Sequence, residues 1–377
     1  MLMAPRNQHP VLSTRALNRA TLDRQLLLRR VPRSELPIVG AVEHVVGLQA
    51  QNVKPPYYAL AARLADFDPQ ELSEPMASRK VARLVTMRST IHTHSAADCL
   101  ALRPLVQSGG PDRELNAFRK GLQGVDLGHL AALSRELVEA QPRTMKQLRE
   151  ALLARWPGAD AASLAVAARC LLPLVQTTPR GLWGGSGQVT LTTAEHWFGR
   201  PAGPTATPEA LVLRYLAAFG PASIRDMQTW SGLTRMREVF ERLRPQLSLF
   251  QDEKGVELFD LPDAPRPDAQ VSAPPRFLPE FDNLLLSHAD RGRVVAKDEH
   301  RGLTWRGNRS YPTLLVDGFL AGIWQLTESA QRATLLVQPF GTLTRGQRTE
   351  VAEEGERMLT AMSTATSHDV RFGHFLD

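Results

Sequence analysis

Two glutamines one residue apart, Gln49 and Gln51, lie in the run Val46-Gly47-Leu48-Gln49-Ala50-Gln51-Asn52-Val53-Lys54-Pro55-Pro56, between an apolar helical stretch and a second helix start. In an extended or turn-like backbone, residues two apart point the same way, so two carboxamides share one small volume. Amides donate and accept hydrogen bonds without taking up protons. The chemistry open to such a pair is therefore preorganised polar stabilisation, not proton abstraction. Capping of the helix ends, or solvation at a turn, is the alternative for the same residues. His92-x-His94 puts two imidazoles on one side of a strand, but no further His or Cys follows at ligand spacing, which favours a solvent- or phosphate-facing pair over a metal site. There is no phosphate-binding loop of the Walker type, and Gly184-Gly185-Ser186-Gly187 follows no clear strand in a βαβ context. No Gly-x-Ser-x-Gly elbow is present. Cys99 and Cys170 are too few and too far apart for a disulfide framework or a Cys-rich zinc site. No metal and no cofactor is expected.

The elements around these residues must come from a chain of 377 residues with 45 Lys+Arg against 39 Asp+Glu, a formal charge of +6 and 43% hydrophobic residues. That composition supports a buried core and two or three domains, and excludes a disordered or fibrous chain. No run approaches the roughly 18 to 20 apolar residues of a membrane helix. Residues 1–10 lack an apolar stretch before small cleavage residues, so a cytoplasmic protein is expected. GC-rich coding accounts for the arginine excess itself. Its placement carries more: residues 1–30 and 79–120 are each +5, whereas residues 350–377 are −4. A basic front half and an acidic tail make a directed field suited to a polyanion such as nucleic acid.

Helix starts repeat. Thr144 in Gln141-Pro142-Arg143-Thr144 and Ser223 in Gly220-Pro221-Ala222-Ser223 read as N-caps, each followed by apolar residues at helical spacing. Each start is preceded by an amphipathic helix, at 126–140 and 207–219, and followed by another, at 160–174 and 234–244. Strand pairs then fall at 174–176 with 188–192 and at 247–250 with 256–259. Three helices and a β-hairpin are the order of a winged helix. A third copy is drawn with helices at 15–30, 37–47 and 52–65 and a strand region at 83–94. Extended, that strand puts Thr86, Arg88, Thr90, His92 and His94 on one polar, basic face. The stretch 261–279, with Pro262, Pro265, Pro267, Pro274, Pro275 and Pro279, reads as a linker. Strands at 282–288, 313–316, 319–326 and 334–337, an Asp317-Gly318 hairpin turn and a helix at 346–364 complete the chain. The fold class is α+β: three tandem winged-helix units over 14–96, 97–200 and 205–262, then a mostly β C-terminal module over 276–377 with a closing helix.

Four segments, taken in order, carry a resemblance. They are the opening Leu17-Asn18-Arg19-Ala20-Thr21-Leu22-Asp23-Arg24-Gln25-Leu26-Leu27, the run Leu48-Gln49-Ala50-Gln51, the strand Met87-Arg88-Ser89-Thr90-Ile91-His92 and the late stretch Leu278-Pro279-Glu280-Phe281-Asp282-Asn283-Leu284-Leu285-Leu286-Ser287-His288. Together they resemble the AlkZ/YcaQ-like winged-helix DNA glycosylases, over about residues 14–375. That family includes the enzyme that protects an azinomycin-producing bacterium by unhooking interstrand crosslinks. The resemblance implies a concave, C-shaped basic surface for duplex DNA, a catalytic Gln-x-Gln pair falling on Gln49 and Gln51, and an essential β-hairpin. The first wing and the 300–312 region are the candidates for that hairpin. The YcaQ-like branch carries Gln-x-Asp, so Gln51 moves this chain toward the AlkZ branch.

The chemistry agrees with the residue types. A guanine alkylated at N7 carries a positive ring, so its glycosidic bond breaks without protonation of the base. Such a substrate needs a water beneath C1′ and neutral polar groups that tolerate oxocarbenium character, which two glutamines supply. An unmodified purine would call for a carboxylate base. Bases tied across the helix cannot be flipped into a tight pocket. The 6% aromatic content, with no dense aromatic cluster in the sequence, accords with an open groove. Phosphate contacts are expected from Arg291, Arg293, Arg301, Arg306 and Arg309, with residues 300–309 as an exposed loop or hairpin tip. Lys54, Lys80, Arg83 and Arg88 follow, with Thr90 and His92 from the strand face. No lysine lies in the Gln-x-Gln run to form a Schiff base, so a monofunctional glycosylase that leaves abasic sites in double-stranded DNA, acting as a monomer, is the leading expectation. The rival is a winged-helix transcriptional regulator, which would dimerise on a two-fold operator.

Overall fold

Local caps set the helices. Thr144 and Ser223 each close a capping box, with Gln147 and Asp226, and open the helices Met145–Arg155 and Ile224–Ser231. Helices Leu127–Ala140 and Pro208–Phe219 precede them, and Ala161–Leu171 and Arg237–Leu243 follow. Each set leads into an antiparallel strand pair, Leu174–Gln176 with Leu191–Thr193 and Ser248–Asp252 with Glu257–Asp260. The structure is a computed structural model that describes residues 9–297, 300, 302, 304–306 and 309–375. Among these residues no helix is long and apolar enough to cross a membrane.

The N-terminal part holds helices Thr14–Arg24, Ile38–His44 and Pro55–Arg63, and a further helix, Gln70–Ala77. The region expected as one strand over 83–94 is two strands, Val81–Val85 and Ile91–Ser95, reversing at Met87–Ser89. Arg88 and Ser89 both take left-handed backbone there, with φ of 54° and 60°. The alternation across the segment is therefore broken, and Thr86, Arg88, Thr90, His92 and His94 do not share one exposed face. These strands lie in a five-stranded sheet ordered Leu48–Gln49, Ile91–Ser95, Val81–Val85, Leu174–Gln176, Leu191–Thr193.

The C-terminal sheet is ordered Ser367–Phe372, Arg332–Pro339, Phe319–Glu328, Thr313–Val316, Arg276–Leu278. Residues 282–288 are not a strand: Asp282 accepts from the Leu284 amide and caps a short helix, Asn283–Leu286, since a three-leucine run has no periodicity to separate strand from helix. The proline-rich 261–279 is not a free linker, because it ends in the strand Arg276–Leu278 and is strapped to the first helix. Arg15 Nε donates to the Ala269 carbonyl at 2.8 Å and Arg19 Nε to the Val271 carbonyl at 2.6 Å. The Asp317-Gly318 turn forms as expected, both residues at positive φ. Helix Arg345–Met362 is followed by the parallel strand Ser367–Phe372, which its polar composition concealed.

The basic opening of the chain is spent internally. Arg15 and Arg19 pair with Asp317, Arg24 with Asp260, and Arg30 with Glu354. One core joins both ends: Tyr57, Leu60 and Leu72 pack with Leu314, Val337, Val351 and Leu359. Across it Arg63 and Asp282 form a buried bidentate pair, both bonds 2.8 Å. Removing one member of such a pair strands a charge in the interior and costs about 3–5 kcal/mol, whereas replacing both by apolar groups is often neutral. Asp282→Ala should therefore lower the urea-unfolding free energy by about that amount. The double substitution Arg63→Met/Asp282→Leu should recover most of it.

Candidate active site

The Gln-x-Gln run follows a tight exit from helix Ile38–His44. Val46 and Gly47 both have positive φ, 54° and 89°, and a Cβ on Gly47 would lie 2.2 Å from the His94 ring, so only glycine fits there. Asn283 holds this exit, its Nδ2 donating to the carbonyls of Val45 at 3.1 Å and Gly47 at 2.7 Å. The chain then pairs as the strand Leu48–Gln49 with Thr93 and His92, and the Ala50 amide bonds the Ile91 carbonyl at 2.7 Å. Pro55 and Pro56 open the next helix immediately afterwards.

Both glutamines address the 86–91 turn, but unequally. Gln49 is buried, 8% exposed, and its Oε1 accepts from Arg88 Nη2 at 2.9 Å. Gln51 is exposed, with Oε1 only 3.4 Å from the Ile91 amide. Gln51 lines a cavity of about 1040 Å³ together with Asn52, Lys54, Tyr58, Glu280, Phe281, Ser310, Tyr311, Trp324, Glu328 and Phe375. Asn52 Nδ2 donates to Glu280 Oε1. Two rings of this wall touch at 5.5 Å, Tyr58 and Trp324, and Trp183 packs behind Tyr58 at 6.1 Å. The sequence shows no dense aromatic run, and these rings come together from segments more than a hundred residues apart. Tyr58, Trp324, Asn283 and Glu280 are site residues that sequence reasoning did not assign. The only signal was a polar Glu-Phe-Asp-Asn beside an apolar run.

Several residues expected to touch phosphate are placed inside the protein. Arg83 is 2% exposed and its Nη2 bonds the Ala50 carbonyl at 2.6 Å, bracing the loop that carries Gln51. Burial beside Arg180 lowers its pKa to about 10. Arg293 is buried and donates to Thr21 Oγ1 at 3.1 Å and the Pro221 carbonyl at 2.9 Å. His92 is buried with His94, and Thr86 Oγ1 lies 3.0 Å from His92 Nδ1 and from His94 Nε2. A single hydroxyl sits between two imidazoles, so this pair faces neither solvent nor phosphate. Thr90 bonds the Met87 carbonyl at 3.0 Å and closes the turn. Arg88 bonds Gln49 and, through Nη1, the Trp230 carbonyl. Arg291, half-buried, is near enough to add to the depression of the Arg88 pKa.

Lys54 lies on the cavity wall, 5.7 Å above the Trp183 ring. Lys80 is exposed but lines a separate recess with Glu43 and Arg200. Arg306 and Arg309 are paired across a two-strand hairpin, Trp305–Arg306 with Arg309–Ser310, whose Ser310 reaches the cavity. Arg301 lies outside the described residues.

Burial holds the His94 pKa at about 4 and that of His92 well below 6.5, with Arg88 adding to the effect on His92. Both rings are neutral in the folded protein at neutral pH. Below about 6.5 the unfolded chain binds protons that the folded one refuses, so stability is full above that pH and is lost as pH falls toward 4. His94 alone should contribute a loss of about 2–3 kcal/mol by about pH 4.5. Urea midpoints measured between pH 7.5 and 4.5 test this.

A profile of the family described as DNA glycosylase AlkZ-like matches residues 42–361. The interstrand DNA cross-link repair glycosylase of Streptomyces sahachiroi is 24% identical over 355 residues, 85% of this chain and 88% of that protein. Among solved structures, the Streptomyces sahachiroi DNA glycosylase AlkZ superposes with a TM-score of 0.79 at 21% identity, covering 96% of this chain and all of that one.

Proposed function

The chain belongs to the AlkZ-like DNA glycosylase family, and we propose that it is a monofunctional, monomeric enzyme of the Gln-x-Gln branch that hydrolyses the N-glycosidic bond of N7-alkylated purines in duplex DNA, bulky adducts and interstrand crosslinks included. The supporting frame is three winged-helix units, 14–96, 97–200 and 205–262, with the 276–377 module closing a C-shaped, DNA-facing concavity.

The observation that carries the substrate class is the cavity at Gln51. Its wall combines the aromatic residues Tyr58, Phe281, Tyr311, Trp324 and Phe375 with two carboxylates, Glu280 and Glu328, against one ammonium, Lys54, a net negative lining. That combination disfavours phosphate and favours a cation, and a purine alkylated at N7 is a flat cation. At about 1040 Å³ the space exceeds what one base fills, leaving room for an adduct. Gln51, exposed on its wall, accepts a hydrogen bond from a water below C1′. The water oxygen bonds C1′ as the C1′–N9 bond breaks. The bonding electron pair neutralises the purine ring, and the proton from the water passes to solvent. No acid is needed because the leaving group departs neutral. Lys54 on the cavity wall, with Arg306 and Arg309 of the strand pair that ends at Ser310, are the candidates for phosphate contacts.

The test is alkali-revealed strand cleavage of a duplex bearing one N7-alkylguanine. Wild type should cleave, and Gln49→Ala and Gln51→Ala should each lower the single-turnover rate by about 100-fold or more. Lys54→Ala should reduce the salt slope of DNA binding by about 1 without changing lesion choice. Since Lys54 is an amine on the cavity wall, borohydride treatment during turnover should trap no covalent complex. Trapping that disappears in Lys54→Ala would instead make this a bifunctional enzyme.

A further inference from the structure

Arg88 is built into the site at a conformational cost. It and Ser89 take left-handed backbone, a region that non-glycine residues rarely adopt. The turn is seated by bare backbone on its far side: a Cβ on Gly110 would lie 2.4 Å from the Ser89 amide, and one on Gly232 would lie 2.5 Å from the Gly109 carbonyl. Ser89 Oγ is tied to Glu114, which Arg169 holds in turn. So constrained, Arg88 spans two elements. Nη1 donates to the Trp230 carbonyl at the end of helix Ile224–Ser231, and Nη2 donates to Gln49 Oε1 at 2.9 Å.

A guanidinium has only donors, so the Gln49 atom that faces it must be the carbonyl oxygen. The Gln49 NH₂ group is then turned away from Arg88. We infer that Arg88 is a positioning residue that fixes the Gln49 carboxamide with its oxygen inward and its NH₂ toward the reacting water, and so divides the work of the two glutamines. The inference rests on the glycosylase reading above. Gln51 Oε1, which among the described residues has the one long contact to the Ile91 amide, receives one water proton. Gln49 Nε2 donates to one water lone pair. One donor and one acceptor fix the water in position and rotation and leave its second lone pair for C1′. Burial brings the Arg88 pKa down to about 10, so the group remains a cation at neutral pH and the bond to Gln49 is charge-assisted. The same charge polarises the amide and strengthens its N–H donors.

A double-mutant cycle tests this. Arg88→Ala should lower the single-turnover rate on an N7-methylguanine duplex by about 10- to 100-fold, with the DNA dissociation constant and its salt slope unchanged. In a Gln49→Ala background the same substitution should cost less than about twofold, because the group it positions is gone. Arg88→Lys, which keeps a cation at the turn, should recover part of the rate, and it replaces the alanine variant if that one does not fold. Equal losses in both backgrounds would overturn the inference in favour of fold support. A weaker dissociation constant with a lower salt slope would overturn it in favour of a phosphate contact. A second readout needs no substrate: the Gln49 side-chain amide resonances, identified by their loss in Gln49→Ala, should be displaced from those of exposed glutamines in wild type and collapse toward them in Arg88→Ala. Unchanged resonances would refute the anchoring even in an active enzyme. Displaced resonances in a protein inactive on every adduct would instead sink the glycosylase reading alone.

Discussion

The site depends on one buried guanidinium. Arg63 ends the helix that follows the Gln-x-Gln run, and its bidentate grip on Asp282 places the late Glu-Phe-Asp-Asn stretch against the early turn. With Asp282 fixed, its neighbours reach their targets: Asn283 the carbonyls of Val45 and Gly47, Glu280 the side chain of Asn52. The same guanidinium also touches Gln25 Oε1 at 3.2 Å, and Gln25 bonds the Ala218 carbonyl at 2.7 Å. The first helix, the glutamine-bearing segment, the third helical set and the C-terminal module are thus fixed by one charge pair and its neighbours. Such a pair stabilises little against a well-packed apolar alternative. What it supplies here is register between segments more than two hundred residues apart.

The charge pattern of the sequence has two fates. Each arginine from Arg15 to Arg30 meets a carboxylate from within the chain: Arg19, Arg24 and Arg30 in largely buried pairs with Asp317, Asp260 and Glu354, and Arg29 in an exposed pair with Glu35. The segment around Arg83 and Arg88 is likewise occupied by backbone carbonyls and Gln49. Linear charge density therefore overstates the surface left for a polyanion. Among the described residues that line the cavity, Lys54 is the basic one.

Features written locally were legible. The capping boxes at Thr144 and Ser223 and the Asp317-Gly318 turn depend on residues within four positions of one another, and their side-chain chemistry is sufficient. The spacing of the glutamine pair is local too, but the burial of Gln49 and the exposure of Gln51 come only with the fold. The 282–288 run is ambiguous in sequence because three leucines fit a strand or a short helix equally, and Asp282 decides the matter through a cap. Nothing in Met-Arg-Ser-Thr announces left-handed backbone, so the sequence alone points Arg88 outward from a strand. What holds that turn is the bare backbone at Gly109, Gly110 and Gly232, invisible until the chain folds. The aromatic wall was missed likewise, each ring being unremarked in its own segment.

The strand Val81–Val85 is hydrogen-bonded on one side to Ile91–Ser95 and on the other to Leu174–Gln176. A protein whose elements recur along the chain invites exchange of those elements between copies, because each copy offers the other a matching partner. Here the hairpin that follows the glutamines is also the inner part of a sheet that continues into the next helical set. Separating the two would expose strand edges ready to pair with another chain. Sheet continuity thus keeps the first two helical sets of one molecule together, and so guards a repeat-like chain against domain swapping with its own kind.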